Sequence, residues 1–204
     1  MRNYYIADTH FGHANVIRFD RQPFADVEEM ENVICHNWNA AVWKDDVVYI
    51  IGDYCWNKAD EWIRITKRLH GQKVLVLGNH DLKQMPSELR RLFADVKEAT
   101  VVDDNGRKVQ LRHYPEMFYN HANNPNYYML CGHVHTTAEN TLFEKWRREL
   151  KARSSMEGPN FVPNLGQIYN VGCMMPYMGY TPRTLDEIIH RHAEYERRQV
   201  IHED

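Results

Sequence analysis

Short apolar runs, each followed by a glycine and polar residues, constrain this chain more than any other feature. Val47–Ile51 precedes Gly52 and Asp53, and the same order recurs after Lys73–Leu77 and after Tyr127–Cys131. An apolar run of this length is typical of a strand buried on both faces of a sheet. The runs alternate with helical patterns, so we predict an α/β fold with layered mixed β-sheets flanked by helices.

Apolar spacing of about 3.6 residues predicts the helices, and short or alternating apolar runs predict the strands. No repeat or linker is visible, so residues 1–204 are predicted to form a single domain. The predicted helices are Asp26–Trp43, Ala59–Leu69, Ser87–Phe93, Thr141–Ala152 and Thr184–Glu203. The further predictions are strands at Asn3–Ala7 and Gln167–Val171, a hairpin of Val96–Asp103 with Lys108–Arg112, and a loop at Ser154–Asn164.

Composition and charge narrow the class of protein. The net charge is −3 over 204 residues, whereas a basic face is the usual mark of a dedicated nucleic-acid binder. No apolar run approaches the ~20 residues that span a bilayer, and the first residues do not resemble a signal peptide. The four cysteines form no C-x-x-C pair. We therefore expect a cytoplasmic protein with no membrane and no obligate nucleic-acid partner; the sequence does not predict an oligomeric state.

Polar clusters rich in Asp, His and Asn follow five of the predicted strands. Ligands of α/β sheets gather beyond the carboxyl ends of strands, so we expect these clusters to meet at one edge. Glycines precede three of them, where the backbone must turn sharply or approach a ligand closely. The clusters are Asp8–His13, Gly52–Asp53, Gly78–Asp81, His113 and Gly132–His135.

The residue types in these clusters indicate metal chemistry. Carboxylate, amide and imidazole donors suit Mn, Fe, Zn or Ni. Two donor pairs are each separated by a single residue, and in an extended segment both members of such a pair point the same way. With two further donors the set exceeds the needs of one ion, so it predicts two divalent transition-metal ions about 3.5–4 Å apart. The six donors are Asp8 with His10, His133 with His135, Asp53, and Asn79.

Read in order, the clusters are Asp-x-His, Gly-Asp, Gly-Asn-His-Asp, His and Gly-His-x-His. This ordered set resembles the calcineurin-like metallophosphoesterase superfamily, and in particular its small bacterial and phage branch. The resemblance spans Asp8 to His135, and Asn170-Val171-Gly172 is similar to the family's closing strand. It implies a layered metallophosphoesterase-like fold and hydrolysis of a phosphate ester by a hydroxide that bridges two metal ions.

The resemblance also implies which residues bind the ions. Two ligand sets are expected, and they share Asp53 as the bridging carboxylate. The identity of the metals stays open among Mn, Fe, Zn and Ni, because these donors suit all of them. The first set is Asp8, His10, Asp53 and His135, and the second set is Asp53, Asn79, His113 and His133.

Two residues beside the ligands are expected to be catalytic. By the same resemblance, His80 contacts the phosphoryl or leaving-group oxygen, and Asp81 orients its ring. The protein Ser/Thr phosphatase branch carries Gly-Asp-x-Val-Asp-Arg-Gly and Gly-Asn-His-Glu, whereas Gly52–Lys58 has no arginine at the expected place and the later segment ends at Asp81. A phosphoprotein substrate is therefore disfavoured.

The residues that contact the substrate are less constrained. His13 either lines the phosphate site or hydrogen-bonds the backbone, and Arg18 either binds phosphate or lies on a surface loop. Trp56 either stacks on a base at the rim of the site or fills the core. The basic run Lys145–Arg148 is interpreted as a solvated helix face.

The predicted function is that of a phosphodiesterase or phosphatase acting on a small or nucleotide-like phosphate ester. Two alternatives stay open. One is a non-catalytic metal-binding scaffold of the same fold, which the retained ligands and His80 disfavour. The other is a nuclease, which the net charge of −3 disfavours because a nuclease usually needs a basic groove.

Overall fold

Two four-stranded sheets form the centre of the fold. The computed structural model describes residues 1–56, 58–81, 85–154 and 165–200. The strands are β1 (Asn3–Ile6), β2 (Val47–Ile51), β3 (Gln72–Val76), β4 (Asp95–Lys97), β5 (Ala99–Asp104), β6 (Arg107–Arg112), β7 (Tyr127–Cys131) and β8 (Ile168–Asn170). The first sheet, β1-β2-β3-β4, is all parallel. In the second, β5-β6-β7-β8, only β5 runs antiparallel to its neighbour.

Helices cover the outer faces of the sheets. The helices are α1 (Ala14–Phe19), α2 (Val27–Ala41), α3 (Ala59–Arg68), α4 (Ser87–Arg90), α5 (Ala138–Ser154) and α6 (Leu185–Val200). Apolar side chains of α2 and α3 pack on the first sheet, and Phe143 of α5 packs on the second. The predicted α/β class, with mixed sheets flanked by helices, is confirmed.

Alternation along the strands explains why the two sheets stack. Successive side chains of a strand point to opposite faces. In β1, Tyr4 and Ile6 join the core beneath the helices, while Tyr5 joins the core between the sheets. In β7, Leu130 lies in that same inner core. Apolar residues are thus needed on both faces, and burying each large one contributes about 1.5–3 kcal/mol.

Side-chain caps begin helices α2 and α6. The Asp26 side chain accepts from the Glu29 backbone N–H at 2.9 Å, and the Glu29 carboxylate accepts from the Ala25 N–H at 2.6 Å. At α6, Thr184 Oγ1 accepts from the Glu187 N–H at 3.3 Å, and Glu187 returns a bond from the Thr184 N–H at 2.9 Å. Such reciprocal bonds satisfy backbone donors that have no partner inside a helix.

Two predictions are corrected, and one helix was not predicted. Val96–Asp103 is not one strand, because β4 pairs with β3 in the first sheet while β5 pairs with β6 in the second. The run carries no local signal for the crossing at Glu98. Helix α1 was not predicted, since six residues are too few for a period to show. Arg147 in the supposed solvated run is buried, with an exposed fraction of 1%.

Parts of two predicted elements lie outside the described residues. The loop predicted at Ser154–Asn164 falls there beyond Ser154, and so does the end of the helix predicted to reach Glu203. Within the part of the chain that the structure describes, no helix has the length and apolar character needed to cross a membrane.

Both sheets direct the carboxyl ends of their parallel strands to one edge. The sheets are joined there by Ala7, whose N–H donates to Val171 O at 2.8 Å and whose carbonyl accepts from the Cys173 N–H at 2.8 Å. The Asp8 N–H donates to Gly52 O at 3.0 Å, which ties the end of β1 to the end of β2. The polar clusters therefore converge on the seam between the two sheets.

Candidate metal centre

The backbone of the ligand segments is strained. Five of the predicted ligands have positive φ angles, a region that residues other than glycine seldom adopt. The two donor pairs are therefore not in extended segments, contrary to the prediction from sequence, although their side chains converge. Such conformations cost about 1–3 kcal/mol each and cluster at functional sites. The residues are Asp8 (54°), His10 (44°), Asp53 (50°), His133 (72°) and His135 (45°).

Two glycines before the polar clusters leave room for site side chains. A Cβ on Gly78 would lie 2.2 Å from Asp53 Oδ1, and a Cβ on Gly52 would lie 2.2 Å from His113 Nδ1. Real Cβ atoms do not approach so closely, so any other residue would displace a site side chain. Gly52 also has a φ of +81°, which L side chains rarely adopt. The expectation of close approach is confirmed at both positions.

The first predicted ligand set converges. One donor atom from each of its four residues lies within 4.8 Å of the others. His10 Nε2 is 3.1 Å from His135 Nε2, and Asp8 Oδ1 is 3.8 Å from the same His135 atom. Ligand atoms held at about 2.1 Å from one ion are about 3.0–3.4 Å apart. The nitrogen pair has this spacing, so these donors fit a divalent cation.

The second predicted set lies beside the first. Asn79 Oδ1 is 2.9 Å from His113 Nε2 and 3.0 Å from His133 Nδ1. The His113 Nδ1 atom is 3.0 Å from the Ile51 carbonyl. A proton on that nitrogen leaves Nε2 unprotonated and available as a ligand. Asn79 is exposed and His133 half-buried, so this half of the centre is the more open one.

Asp53 stands between the two sets. Its Oδ2 atom is 3.7 Å from His10 Nε2 and 3.5 Å from His113 Nε2. Its Oδ1 accepts from the His80 backbone N–H at 2.9 Å. One carboxylate oxygen thus faces a histidine from each set, as a bridging ligand requires.

Burial shifts the pKa values of two residues in the first ligand set. Burial lowers the pKa of His10 to about 3, and the neighbouring His135 adds to this effect. Burial also raises the pKa of Asp8 to about 6, against the opposing effect of His135 and His113. His10 is therefore a neutral imidazole near pH 7, which is the form that binds metals.

The shared carboxylate and its histidine shift in the opposite sense. Burial alone would raise the pKa of Asp53, but its interaction with His113 lowers it to about 2. Burial alone would lower the pKa of His113, but Asp53 and Asp8 raise it to about 9. A cation bound here would replace that proton, because metal ligands must be deprotonated.

Asp81 makes other contacts than expected. Its carboxylate accepts backbone N–H bonds from Asp53 at 2.9 Å, Tyr54 at 2.9 Å and Gly78 at 2.8 Å. These bonds use both oxygens, and none of them involves the His80 ring. The interpretation of Asp81 as the residue that orients His80 is therefore corrected: Asp81 fixes the backbone that carries the shared ligand Asp53.

Sequence reasoning missed one carboxylate beside the ligands. Asp20 Oδ2 lies 2.8 Å from His135 Nδ1, and the Asp20 side chain is only 1% exposed. Burial alone would lower the pKa of His135, but the bond to Asp20 and the charge of Asp8 raise it. A histidine ligand generally needs such an acceptor, yet nothing in the local sequence indicates which carboxylate supplies it.

The expected substrate residues lie differently around the centre. The His13 and Trp56 rings stack with centroids 4.1 Å apart at 17°, and Trp56 lies 4.8 Å from His80. Trp56 is 47% exposed, so the alternative that it fills the core is wrong. His13 Nδ1 is buried without a hydrogen-bond partner in the described part of the chain. Arg18 is exposed on helix α1, so the alternative that it lies on a surface loop is wrong in its secondary structure.

Comparison with known proteins gives three informative similarities. An uncharacterized protein of Methanocaldococcus jannaschii is 36% identical over 134 residues, or 65% of this chain and 68% of that protein. The Gene 66 protein of Mycobacterium phage L5 is 33% identical over 81 residues, so the match spans 38% of this chain and only 39% of that relative. A solved structure of a protein of unknown function from Aquifex aeolicus superposes with a TM-score of 0.65 at 25% identity, covering 92% of this chain and 97% of that one.

The family itself follows from a longer match. The family described as calcineurin-like phosphoesterase matches residues 1–158, which include every predicted ligand. The buried Asp and His cluster agrees with the metal dependence of such hydrolases. This chain belongs to the calcineurin-like phosphoesterase family and is a metallophosphoesterase.

Proposed function

We propose that this protein hydrolyses a small or nucleotide-like phosphate ester with the help of two divalent metal ions. The single observation that carries the proposal is the position of Asp53 Oδ2, 3.7 Å from His10 Nε2 and 3.5 Å from His113 Nε2. A carboxylate shared in this way is suited to a dinuclear centre. When bound, the ions would supply Lewis acidity to the phosphoryl oxygens and a water of lowered pKa.

The protein's own part in this reaction is to hold and orient. The first ion would be held by Asp8, His10, Asp53 and His135, and the second by Asp53, Asn79, His113 and His133. Strained backbone on five of these residues fixes the donors before substrate arrives. Little reorganisation is then needed during the reaction, which is the main advantage of a preformed site.

His80 is the proposed acid for the leaving group. Its ring is exposed and lies 6.0 Å from His10 between ring centroids. Its backbone is fixed by the bond from its N–H to Asp53. The ring can therefore donate a hydrogen bond or a proton to a leaving oxygen at the centre.

The aromatic rings beside His80 support a substrate with a flat group. His13 and Trp56 stack, and the exposed part of Trp56 continues this aromatic surface to solvent. Stacking of a base on such a ring is worth about 1–3 kcal/mol and does not require sequence readout. A nucleotide-like ester fits this arrangement better than a polymer, because the net charge of −3 disfavours the basic groove that a nucleic-acid strand usually needs.

The test is an activity screen of the purified protein with Mn²⁺, Fe²⁺, Zn²⁺ or Ni²⁺. We expect cleavage of p-nitrophenyl phosphate or its bis ester, with a rate that falls about 10²–10⁴-fold in His80→Ala. His190→Ala, which changes an exposed histidine on α6, is the matched control and should keep the activity. Inactivity with every metal and ester would contradict the proposal, and cleavage of only DNA or RNA would favour the nuclease.

A further inference from the structure

We infer that Asp20 is a positioning residue that fixes His135 as a ligand of the first ion through Nε2. The inference rests on the proposed metal-dependent function and goes beyond its ligand sets. Asp20 is not itself a donor to the ion: its carboxylate contacts the opposite nitrogen of the His135 ring, at 2.8 Å.

The bond determines which nitrogen of His135 carries a proton. An ionised carboxylate only accepts hydrogen bonds, so Nδ1 must carry the hydrogen that joins it to Asp20. In the neutral imidazole the other nitrogen then has the lone pair. That nitrogen, Nε2, is the atom that lies 3.1 Å from His10 Nε2 and 3.8 Å from Asp8 Oδ1. The available electron pair is thus on the side where the donors converge.

Local structure holds Asp20 in place. It is the C-terminal cap of α1, and its N–H donates to Val16 O at 3.0 Å. Gln22 Nε2 donates to the same carboxylate oxygen at 3.4 Å. The side chain is almost completely buried, so water does not compete for the bond to His135. A geometry fixed by cap, neighbour and burial restricts the orientation of the imidazole ring.

The other ligands show why this contact is specific to the first ion. His113 of the second set uses the Ile51 carbonyl, a neutral backbone acceptor, for its outer nitrogen. His135 instead has a buried acid, which adds basicity as well as orientation. Removing that acid should therefore lower the affinity for the first ion and leave the affinity for the second largely unchanged.

The experiment measures metal affinity by equilibrium dialysis against graded Mn²⁺ with elemental analysis. We expect Asp20→Asn to lower the affinity for one of the two ions by about 10–100-fold. Asp20→Ala should lower that affinity at least as much. Asp45→Asn, at an exposed aspartate, is the matched control. Histidine ¹⁵N shifts should show the Nδ1–H form of His135 in the wild type and a smaller fraction of it in Asp20→Ala, which removes the acceptor for Nδ1.

Three outcomes would overturn the inference. Two ions bound with wild-type affinity in both Asp20 variants would overturn it while leaving the proposed function intact. An equal weakening of both ions, with a matching fall in the melting temperature of the chelator-treated protein, would show a merely structural role. A wild-type protein that binds no divalent ion would overturn the proposed function as well.

Discussion

Buried histidines meet carboxylates in two regions of this protein, and the regions differ in what balances the negative charge. One region is the metal centre at the strand ends. The other, which we name the α5–α6 network, lies where these two helices meet. Its members are Glu144, Arg147, His192 and Glu196.

In the α5–α6 network each carboxylate has a cationic partner. Arg147 Nε donates to Glu144 at 2.9 Å, and its guanidinium also bonds Glu196. His192 lies 3.3 Å from Glu144 and 3.5 Å from Glu196. Burial alone would raise the pKa of Glu196, but the bonds with His192 and Arg147 lower it to about 2. The carboxylates of this network are balanced by cations of the protein itself, so we interpret the network as structural.

At the strand ends, in the part of the chain that the structure describes, four buried aspartates gather without an arginine or lysine partner. Each ion pair described for this cluster is with a histidine, and none is with Lys or Arg. Burying charge without compensation is costly, so the region favours cations supplied from outside. The comparison teaches that the missing arginine, more than the histidines, marks the functional cluster. The aspartates are Asp8, Asp20, Asp53 and Asp81.

The largest effect should come from neutralising the carboxylate shared at the metal centre. Asp53→Asn keeps an oxygen for the His80 N–H but removes the charge that both ligand sets use. We expect the affinity for both ions to fall by more than about 100-fold. Mutating a residue that only hydrogen-bonds a metal ligand already lowers metal affinity by about 10–100-fold, and Asp53 is itself an expected ligand. Elemental analysis after dialysis measures this. Two full equivalents in the variant would contradict the bridging role.

The next effect should come from removing the cation of the α5–α6 network. Arg147→Met leaves two carboxylates facing each other, and breaking a buried ion pair costs about 3–5 kcal/mol. Urea unfolding should show this loss, while metal binding stays unchanged. Arg148→Met, an exposed neighbour on the same helix, is the control. If Arg147→Met instead removed the ions and kept its stability, the contrast between the regions would fail.

The smallest effect should be a change in acid sensitivity. The folded-state pKa of Glu196, about 2, lies below its usual value of 4.5, so its contribution to stability is full above 4.5 and is lost as the pH falls toward 2. Glu196→Gln should therefore flatten the fall in melting temperature between pH 4.5 and 3, measured with chelator present. Glu98→Gln, at an exposed glutamate, is the control. If the melting temperature of Glu196→Gln fell between pH 4.5 and 3 as it does in the wild type, the Glu196 carboxylate would not be ion-paired.

The metal ligands could be predicted from sequence because their signal is local. A buried strand, a glycine and a polar residue form one short pattern, as in Ile51-Gly52-Asp53. The role of Asp20 and the burial of Arg147 could not be predicted, because each depends on a partner that lies far along the chain. His135 is 115 residues from Asp20, and Glu196 is 49 residues from Arg147. The crossing at Glu98 was missed since both strands beside it read as one β-forming run.

The seam between the sheets has a further consequence. Asp8, His10, Asp53 and Asn79 follow strands of the first sheet, whereas His113, His133 and His135 follow strands of the second. Each ion would therefore be bound by residues from both sheets, and the residues that follow one sheet alone do not form a complete ligand set. Bound metal should therefore oppose any movement of one sheet relative to the other. The residues that would bind the ions for catalysis would then also hold the two sheets together.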